Sequence, residues 1–304
     1  MTSSELLSYF FAALSAMGVA LANVMQRKAG LEKGGDQPFG LRLLLRLVRS
    51  PTWLMGFGGL VSSFLLQAVA LGLGSLAAVE TIITLEVPLT LLVAARAFGT
   101  RLGRIEWTGI LVMTGGMIVL VTMLAPSPGK ETGVSHFVYA AAGGGTAGTI
   151  VVLVLAGQRG GTVWRTGCLG AAAGTSFGLT ATMIKETIAQ GEENGLVGVF
   201  TTWQTYTAVG FGILGLVLVQ WALHVGPLIA AQPGFTLMDP LVSILWGVLV
   251  FNEIVRTGLW LIPASVGGIA IGFGVLVLTH SPLLAALDEN SVEPALPVSR
   301  TGVG

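Results

Sequence analysis

The sequence predicts an all-α polytopic membrane protein with nine, or alternatively ten, transmembrane helices in two inverted structural repeats. Of its 304 residues, 53% are hydrophobic and only 10% are charged, whereas soluble domains carry about 25% charged residues. Nine apolar stretches approach the roughly 20 residues that a membrane-spanning helix needs. Two of these stretches contain the same unusual acid-and-proline segment, which indicates a duplication.

Clusters of glycine, proline or charged residues separate the nine predicted spans. The spans are 6–26, 53–73, 76–96, 107–124, 137–156, 166–186, 203–223, 228–250 and 259–279. Segment 38–50 is a tenth candidate, because Arg42, Arg46 and Arg49 recur among leucines at helical spacing. This pattern favours an amphipathic helix at the membrane surface. A short, tilted membrane helix is the alternative.

The distribution of basic residues predicts the orientation of the chain. With the N-terminus outside, 12 of the 15 lysines and arginines lie in cytoplasmic loops or the tail, as the positive-inside rule requires. We therefore expect an integral protein of the plasma (inner) membrane, with its N-terminus outside and its C-terminus in the cytoplasm. The tail 281–304 has three prolines and several small polar residues, and we expect it to be disordered.

The internal repeat is best seen in two segments at an offset of 152 residues, Thr84-Leu85-Glu86-Val87-Pro88 and Thr236-Leu237-Met238-Asp239-Pro240. Gly74 and Gly226 match at the same offset, as do the pairs Gly115-Gly116 and Gly267-Gly268. Spans one to four therefore correspond to spans six to nine. Because five helices is an odd number, the second copy enters the membrane from the opposite face.

This correspondence divides the chain into four parts. They are a first repeat at 1–127, a linking transmembrane helix at 128–160, a second repeat at 161–280 and the tail. Small-xxx-small patterns at Gly144/Gly148 and Gly268/Gly272 are expected to let helices pack closely.

Glu86 and Asp239 are the strongest candidates for a functional site, since each lies near the middle of a predicted span. A charged group there is costly and usually faces a cavity or a partner. Pro88 and Pro240 lack an N–H, so we expect each to kink its helix and to free the carbonyl of Thr84 or Thr236. Each copy would then present a carboxylate, a carbonyl and a threonine hydroxyl at one level, which suits a proton, a cation or a cationic substrate. A kinked helix with a neutral, hydrogen-bonded acid is the alternative.

Four further residues are secondary candidates. Glu80 lies nearer the outer end of span three, where it would line a vestibule or only complement the helix dipole. Its counterpart is Gln232, which is followed by another helix-kinking residue, Pro233. Asn23 would contact substrate or form a hydrogen bond between helices. Lys185 and Glu186 are expected to form a surface salt bridge at the end of span six.

The sequence offers little for an enzyme, a cofactor or a nucleic-acid partner. All three histidines lie at predicted span ends, and no phosphate-binding loop of the GxxxxGK[ST] type occurs. The single cysteine excludes an internal disulfide and a cysteine-based metal site. The net charge of zero gives no electrostatic reason to expect nucleic acid. We therefore predict no enzyme activity, no cofactor and no metal centre.

The chain resembles the drug/metabolite transporter superfamily, specifically its EamA-like families. Three segments of the second half carry the resemblance, Ala231-Gln232-Pro233, Met238-Asp239-Pro240-Leu241-Val242 and Phe251-Asn252-Glu253. The opening Ala22-Asn23-Val24-Met25-Gln26-Arg27-Lys28-Ala29 is similar to actinobacterial members and to NIPA-type magnesium transporters. The resemblance implies a central cavity between two repeats. The first-half equivalent of Glu253 is Arg101, so this chain departs from repeat symmetry there.

These observations lead to one expected function and two alternatives. We expect a secondary transporter that moves a small polar or cationic metabolite, coupled to protons or cations through its midplane carboxylates. The alternatives are a NIPA-like Mg²⁺ transporter and a non-transporting membrane scaffold or lipid-flipping subunit. The expected partners are the substrate and the lipid bilayer, and a homodimer stays open.

Overall fold

The computed structural model describes residues 2–34, 49–129, 136–226 and 228–280. Within these ranges every regular element is helical, apart from one isolated β-bridge between Ser127 and Ile254. The tail 281–304 and segment 38–50, except Arg49 and Ser50, lie outside the described residues. The helices are α1 (Ser3–Gly34), α2 (Pro51–Leu73), α3 (Leu76–Ile83), α4 (Glu86–Ala97), α5 (Arg104–Leu124), α6 (His136–Gly157), α7 (Thr162–Thr201), α8 (Trp203–Val225), α9 (Leu228–Leu249) and α10 (Leu261–Thr279), with a 3₁₀ turn at Gly258–Trp260.

Eight helical segments of the described chain are long and apolar enough to cross a membrane. One of them is formed by α3 and α4 together, over Leu76–Ala97. Large apolar side chains such as Met55, Leu111 and Ile269 are exposed on the outside of the bundle, as expected where lipid replaces water. Helix α9, with 22 residues, also has membrane-spanning length. It carries Asp239 and two prolines and is not among the eight.

The predicted third span is divided in the structure. Helix α3 ends at Ile83 and α4 begins at Glu86, so Thr84 and Leu85 form a turn between them. The N–H groups of both turn residues donate to carbonyls only three residues back, Thr84 to Thr81 and Leu85 to Ile82. The two helices therefore meet through a tightened 3₁₀ turn. Pro88 lies in the first turn of α4, where a missing N–H costs least.

The predicted sixth span is longer than the sequence suggested. Helix α7 runs for 40 residues and passes beyond Lys185 to Thr201, with a break at Gly195. Gly195 has a φ of 65°, a left-handed conformation that glycine adopts without a steric penalty. Because α7 continues, Lys185 does not mark the end of a helix, and its side chain is largely buried.

The helices pack as neighbours in a repeated pattern. Helix α1 packs on α2, and α7 packs on α8, in each case as antiparallel partners. Helices α3 and α4 lie against α1, and α9 lies against α7. Two further contacts join these groups, α5 with α10 and α3 with α9. The larger apolar core collects side chains from α3, α5, α7, α9 and α10, including Val79, Ile110, Leu179, Val242 and Ile271.

Glycines bring some helix backbones into direct contact. Gly116 of α5 and Gly267 of α10 face each other so closely that a Cβ on either would lie 2.7 Å from the carbonyl oxygen of the other. Gly109 meets Leu278 further along the same pair, so α5 and α10 run antiparallel. The expected close approach at Gly144 and Gly148 is wrong for the described residues, since a Cβ there would meet no atom within 4 Å.

We predict opposite effects for alanine at two adjacent glycines of α5. In Gly116→Ala the new methyl group would press on the carbonyl of Gly267 and on Ala270, which should lower the free energy of unfolding by about 1–3 kcal/mol. In the control Gly115→Ala no described atom lies within 4 Å of the new Cβ, and alanine should stabilise the helix by about 0.5–1 kcal/mol. Thermal unfolding of the purified protein in detergent measures both. Equal destabilisation by both changes would contradict the described packing.

Candidate functional site

Three acidic side chains lie on α3, on α4 directly after it, and on α9, which packs against α3. Glu80 is in the second turn of α3, Glu86 is the first residue of α4, and Asp239 is in α9. Glu86 lies ten residues from the start of α3 and Asp239 ten residues from the end of α9, or about 15 Å along a helix axis. Both acids are therefore near the middle of an apolar layer of about 30 Å.

The three carboxyl groups are close enough to act on one another electrostatically. Glu80 interacts with the charge of Glu86, and Asp239 interacts with the charges of both. They do not converge on one point, because no group of three histidine, cysteine or acidic side chains in the described chain could hold a metal ion. The arrangement is thus an acidic region and not a compact chelating site.

Glu80 has a hydrogen-bond partner on a neighbouring helix. Its side chain is buried, and Oε1 accepts from Nε2 of Gln67 on α2 at 2.9 Å. Burial of an unpaired carboxyl group would be costly, so the amide lowers the cost of placing Glu80 inside the bundle. Glu80 therefore forms a hydrogen bond between α2 and α3, in addition to lying near the N-terminus of α3.

Glu86 and Thr84 lie at the break between α3 and α4. Glu86 is half-buried as the first residue of α4. The expectation of a free carbonyl at Thr84 is wrong, because this carbonyl accepts from the N–H of Val87 at 3.3 Å. The turn replaces the bond that Pro88 cannot make with one from the preceding residue. The Thr84 hydroxyl donates to the carbonyl of Thr81 at 2.7 Å and is also occupied.

The second copy of the motif has a different local structure. Pro233 and Pro240 lie inside α9, which is continuous from Leu228 to Leu249. Gln232 donates weakly to the hydroxyl of Thr236, with an Nε2–Oγ1 distance of 3.4 Å. The two copies of the motif thus differ in backbone conformation as well as in sequence, with a divided helix in one and a continuous helix in the other.

Two buried oxygens of α9 lack hydrogen-bond partners. They are Oδ1 of Asp239 and Oγ of Ser243. Neither forms a hydrogen bond with any described group. Ser243 is completely buried. Helix α7 lies directly against this part of α9, since a Cβ on Gly178 would be 2.8 Å from the Asp239 carbonyl oxygen. The two oxygens are therefore shielded from the outside of the bundle and still unsatisfied.

A second polar group, the ion-pair cluster, lies at one end of the bundle. Nζ of Lys185 is 2.9 Å from Oε1 of Glu253, and it also donates to the Gly74 carbonyl at 2.9 Å. The Glu253 carboxylate accepts from the backbone N–H groups of Leu76 and Ala77 at the start of α3. Negative charge at a helix N-terminus is favourable. The carboxylate of Glu253 thus has three partners inside the protein.

The backbone after α9 directs Glu253 back into the bundle. Asn252 has a φ of 49°, a left-handed conformation that asparagine tolerates better than most residues. The N–H of Glu253 then donates to the carbonyl of Gly247 at 2.8 Å, which holds this segment against the last turn of α9. The phenyl ring of Phe251 lies 5.4 Å from Nζ of Lys185, a distance that permits a cation–π contact.

The sequence reasoning placed some of these residues wrongly. Lys185 was expected in a surface salt bridge with Glu186, whereas it pairs with Glu253 inside the protein. Lys185 lies at the end of predicted span six, and Glu253 follows the end of predicted span eight on the same side of the membrane. This shared position was the signal in the sequence for their ion pair. The sequence does not single out Ser243, but Ser243 follows Asp239 by four residues and therefore shares its helix face. This spacing is the signal that could have identified it. Asn23 is exposed on α1, and no hydrogen bond within the described ranges joins it to the three acids.

Comparison with known proteins gives a full-length relative and no activity. No protein-family model matches the chain, and no solved structure matches it. An uncharacterized protein of Corynebacterium glutamicum is 29% identical over 297 residues, which cover 96% of this chain and 98% of that protein. The two proteins are therefore similar over nearly their whole lengths, and the similarity assigns no activity to either.

We predict that Lys185 and Glu253 depend strongly on each other. Lys185→Met would leave the Glu253 carboxylate buried without its counterion, which should cost about 3–5 kcal/mol of unfolding free energy. Glu253→Gln should cost less, because its amide oxygen still accepts from the start of α3. The double variant should lose less than the sum of the two single losses.

A double-mutant cycle, measured by chemical or thermal unfolding in detergent, checks this dependence. Lys28→Met is the matched control, since Lys28 is exposed on α1 and its loss should change stability by no more than about 0.5 kcal/mol. Additive effects of the two cluster variants would show that the ion pair contributes no coupling.

Proposed function

We propose that the protein is a secondary transporter of a small cationic or polar metabolite, coupled to protons or cations through carboxylates in the middle of the bundle. One observation carries the proposal: Glu80, Glu86 and Asp239 lie within electrostatic reach of one another between α3, α4 and α9. Carboxylates inside a membrane-spanning bundle are costly and mark ion or proton pathways. No described lysine or arginine pairs with these three acids, so a ligand cation is their natural counterion.

The packing of the helices supports two inverted repeats. The N–H of Gly74 after α2 donates to the carbonyl of Ala70, and the N–H of Gly226 after α8 donates to that of Ala222. Both donors and both acceptors are 152 residues apart. Each glycine also lies against a hydroxyl side chain near the start of the preceding helix of its copy, Ser8 for Gly74 and Thr166 for Gly226.

The contacts between the two halves are also consistent with inverted copies. Helix α5 of the first copy packs against α10 of the second copy in antiparallel orientation, through Gly116 and Gly267. Corresponding helices of two copies related by a two-fold axis in the membrane plane would meet in this way. Together with the resemblance to the EamA-like transporters, this supports membership of the drug/metabolite transporter superfamily.

The proposed mechanism uses the difference between a charged and a neutral acid. A carboxyl group away from water favours its neutral, protonated form, and an approaching cation favours its charged form. Binding of a cationic substrate to Asp239 or Glu86 would then release a proton. When the site opens to the other side of the membrane, protonation would displace the substrate. In this scheme the acids bind the proton and the substrate in turn.

A Mg²⁺ transporter fits the described residues less well. Mg²⁺ prefers octahedral coordination by oxygen ligands and dehydrates reluctantly. Within the described chain, no three acidic, histidine or cysteine side chains come together to hold a metal ion. The three acids are instead distributed over three helices, an arrangement that suits successive binding steps.

We predict that Glu86→Gln and Asp239→Asn each abolish transport, and with it the proton release that substrate binding causes, without unfolding the protein. Each change removes one negative charge and keeps the size of the side chain, so the bundle should stay intact. The assay is proton release from purified protein in detergent on addition of a panel of inorganic cations, amines and amino acids. Wild type should release protons with at least one member, and the two variants should release none.

The matched control for these variants is Glu192→Gln. Glu192 is an exposed glutamate in the part of α7 that extends beyond the ion-pair cluster, and its loss should leave proton release unchanged. Full proton release in both midplane variants would remove the acids from the mechanism. It would favour a scaffold or a lipid-flipping subunit that does not use them.

We predict a cytoplasmic C-terminus and an external position for the ion-pair cluster. A reporter fused after Gly304 should read as internal, and one inserted beside Lys130, between α5 and α6, should read as external. Both positions follow from the bias of basic residues toward the cytoplasm. Reporter activity of both fusions in intact cells measures the orientation. An external signal from the C-terminal fusion would refute the proposed orientation in the plasma membrane.

A further inference from the structure

The unsatisfied oxygens of α9 stand out among the hydroxyl groups of the bundle. Many threonines inside the described helices donate to the carbonyl four residues earlier, as Thr175 does to Ala171 and Thr182 to Gly178. Ser243 is equally buried and makes no such bond to any group in the described chain. Oδ1 of Asp239, one turn earlier, is also buried and has no hydrogen-bond partner in the described chain. A hydroxyl and a carboxylate thus remain unsatisfied at adjacent positions.

The geometry of α9 places these two groups side by side. The helix is continuous from Leu228 to Leu249, so residues four apart lie on one face with their Cβ atoms about 5–6 Å apart. A nitrogen admitted to this face by an opening of the helix packing would therefore lie within the usual 2.7–3.2 Å of both oxygens.

A buried acceptor without a donor is costly, and the cost is greatest for a charged group. Asp239 is also within electrostatic reach of Glu80 and Glu86. A ligand that satisfies this site must therefore donate several hydrogen bonds and carry positive charge. A protonated primary amine has three N–H donors and one charge on one atom. A quaternary ammonium group has the charge and no donor.

We propose that Asp239 and Ser243 form the subsite that binds the primary ammonium group of the transported molecule. The inference rests on the proposed function, since it names the substrate class of the same acidic region. Asp239 provides the charge, and Ser243 provides a neutral acceptor that distinguishes N–H groups from methyl groups. The expected substrates are thus primary amines, and fully methylated amines of the same skeleton are excluded.

Ethanolamine and choline test this inference, because they share one skeleton and differ in three N-methyl groups. Their dissociation constants are measured by calorimetry on the purified full chain in detergent. Wild type should bind ethanolamine at least tenfold more tightly than choline. Ser243→Ala should weaken ethanolamine binding about tenfold, the effect of losing one hydrogen bond to a charged group, and should leave choline binding unchanged.

Ser176→Ala is the control for a merely structural role. Ser176 is also a fully buried serine, and its hydroxyl donates to the carbonyl of Phe211 at 2.7 Å. Its loss should lower the unfolding temperature and leave the ratio of the two dissociation constants unchanged. Ser243→Ala should do the reverse, because it removes a hydroxyl that has no partner and so should not lower the unfolding temperature of the ligand-free protein.

Three outcomes would overturn the subsite. They are comparable affinities for ethanolamine and choline, no binding of ethanolamine at millimolar concentration, and an unchanged affinity ratio in Ser243→Ala. Each leaves the proposed transporter intact if another cation of the panel still releases protons and Asp239→Asn abolishes that release. If Glu86→Gln and Asp239→Asn both release protons as wild type does, the proposed function and the subsite are overturned together.

Discussion

The cost of removing a carboxylate from water governs the interior of this protein. A buried charge must find an opposite charge and hydrogen-bond donors, or it destabilises the fold. Glu253 meets this requirement with Lys185 and with two N–H groups at the start of α3. Asp239 does not meet it with any described group at its buried oxygen. The same chemical group is thus satisfied at one end of the bundle and unsatisfied in the middle.

The position of Asp239 depends on the small residues of a neighbouring helix. Gly170, Gly174 and Gly178 of α7 each face the backbone of α9, and a Cβ at any of them would lie less than 3 Å from a carbonyl oxygen of that helix. Side chains of ordinary size would move α9 outward. The glycine row therefore fixes the depth and the rotation of α9, and with them the direction in which Asp239 and Ser243 face.

Much of the fold could be predicted from the sequence, because bilayer thickness limits the length of apolar helices. The all-helical class is confirmed, and helices occupy the positions of all nine predicted spans. The break at Thr84 and Leu85 was harder to place, since Pro88 indicates a kink without giving its position. The end of α7 was missed because the sequence through Glu192 and Glu193 reads as a loop.

The candidate site was only partly predictable. Glu86 and Asp239 were found from their depth in apolar segments, and the structure brings both near Glu80. Hydrogen-bond partners were not predictable, because they depend on the rotation of each helix about its axis. Gln67 satisfies Glu80 by a hydrogen bond from another helix. The counterpart of Glu80 in the second copy is Gln232, whose side-chain hydrogen bond goes to Thr236 of its own helix. A repeat that matches in sequence can therefore differ in its bonding.

The ion-pair cluster joins several helix ends at one end of the bundle. The segment after α9 bonds the start of α3 through Glu253, and Ile254 pairs with Ser127 after α5. In the proposed transporter, passage at that end would require α3 and α9 to separate, which would expose Lys185 and Glu253 to water and restore their hydration. Water then replaces the lost ion pair, so the opening costs less than breaking the same pair inside the bundle. The charges that close this end are for that reason compatible with its opening, which an apolar seal of the same size would resist.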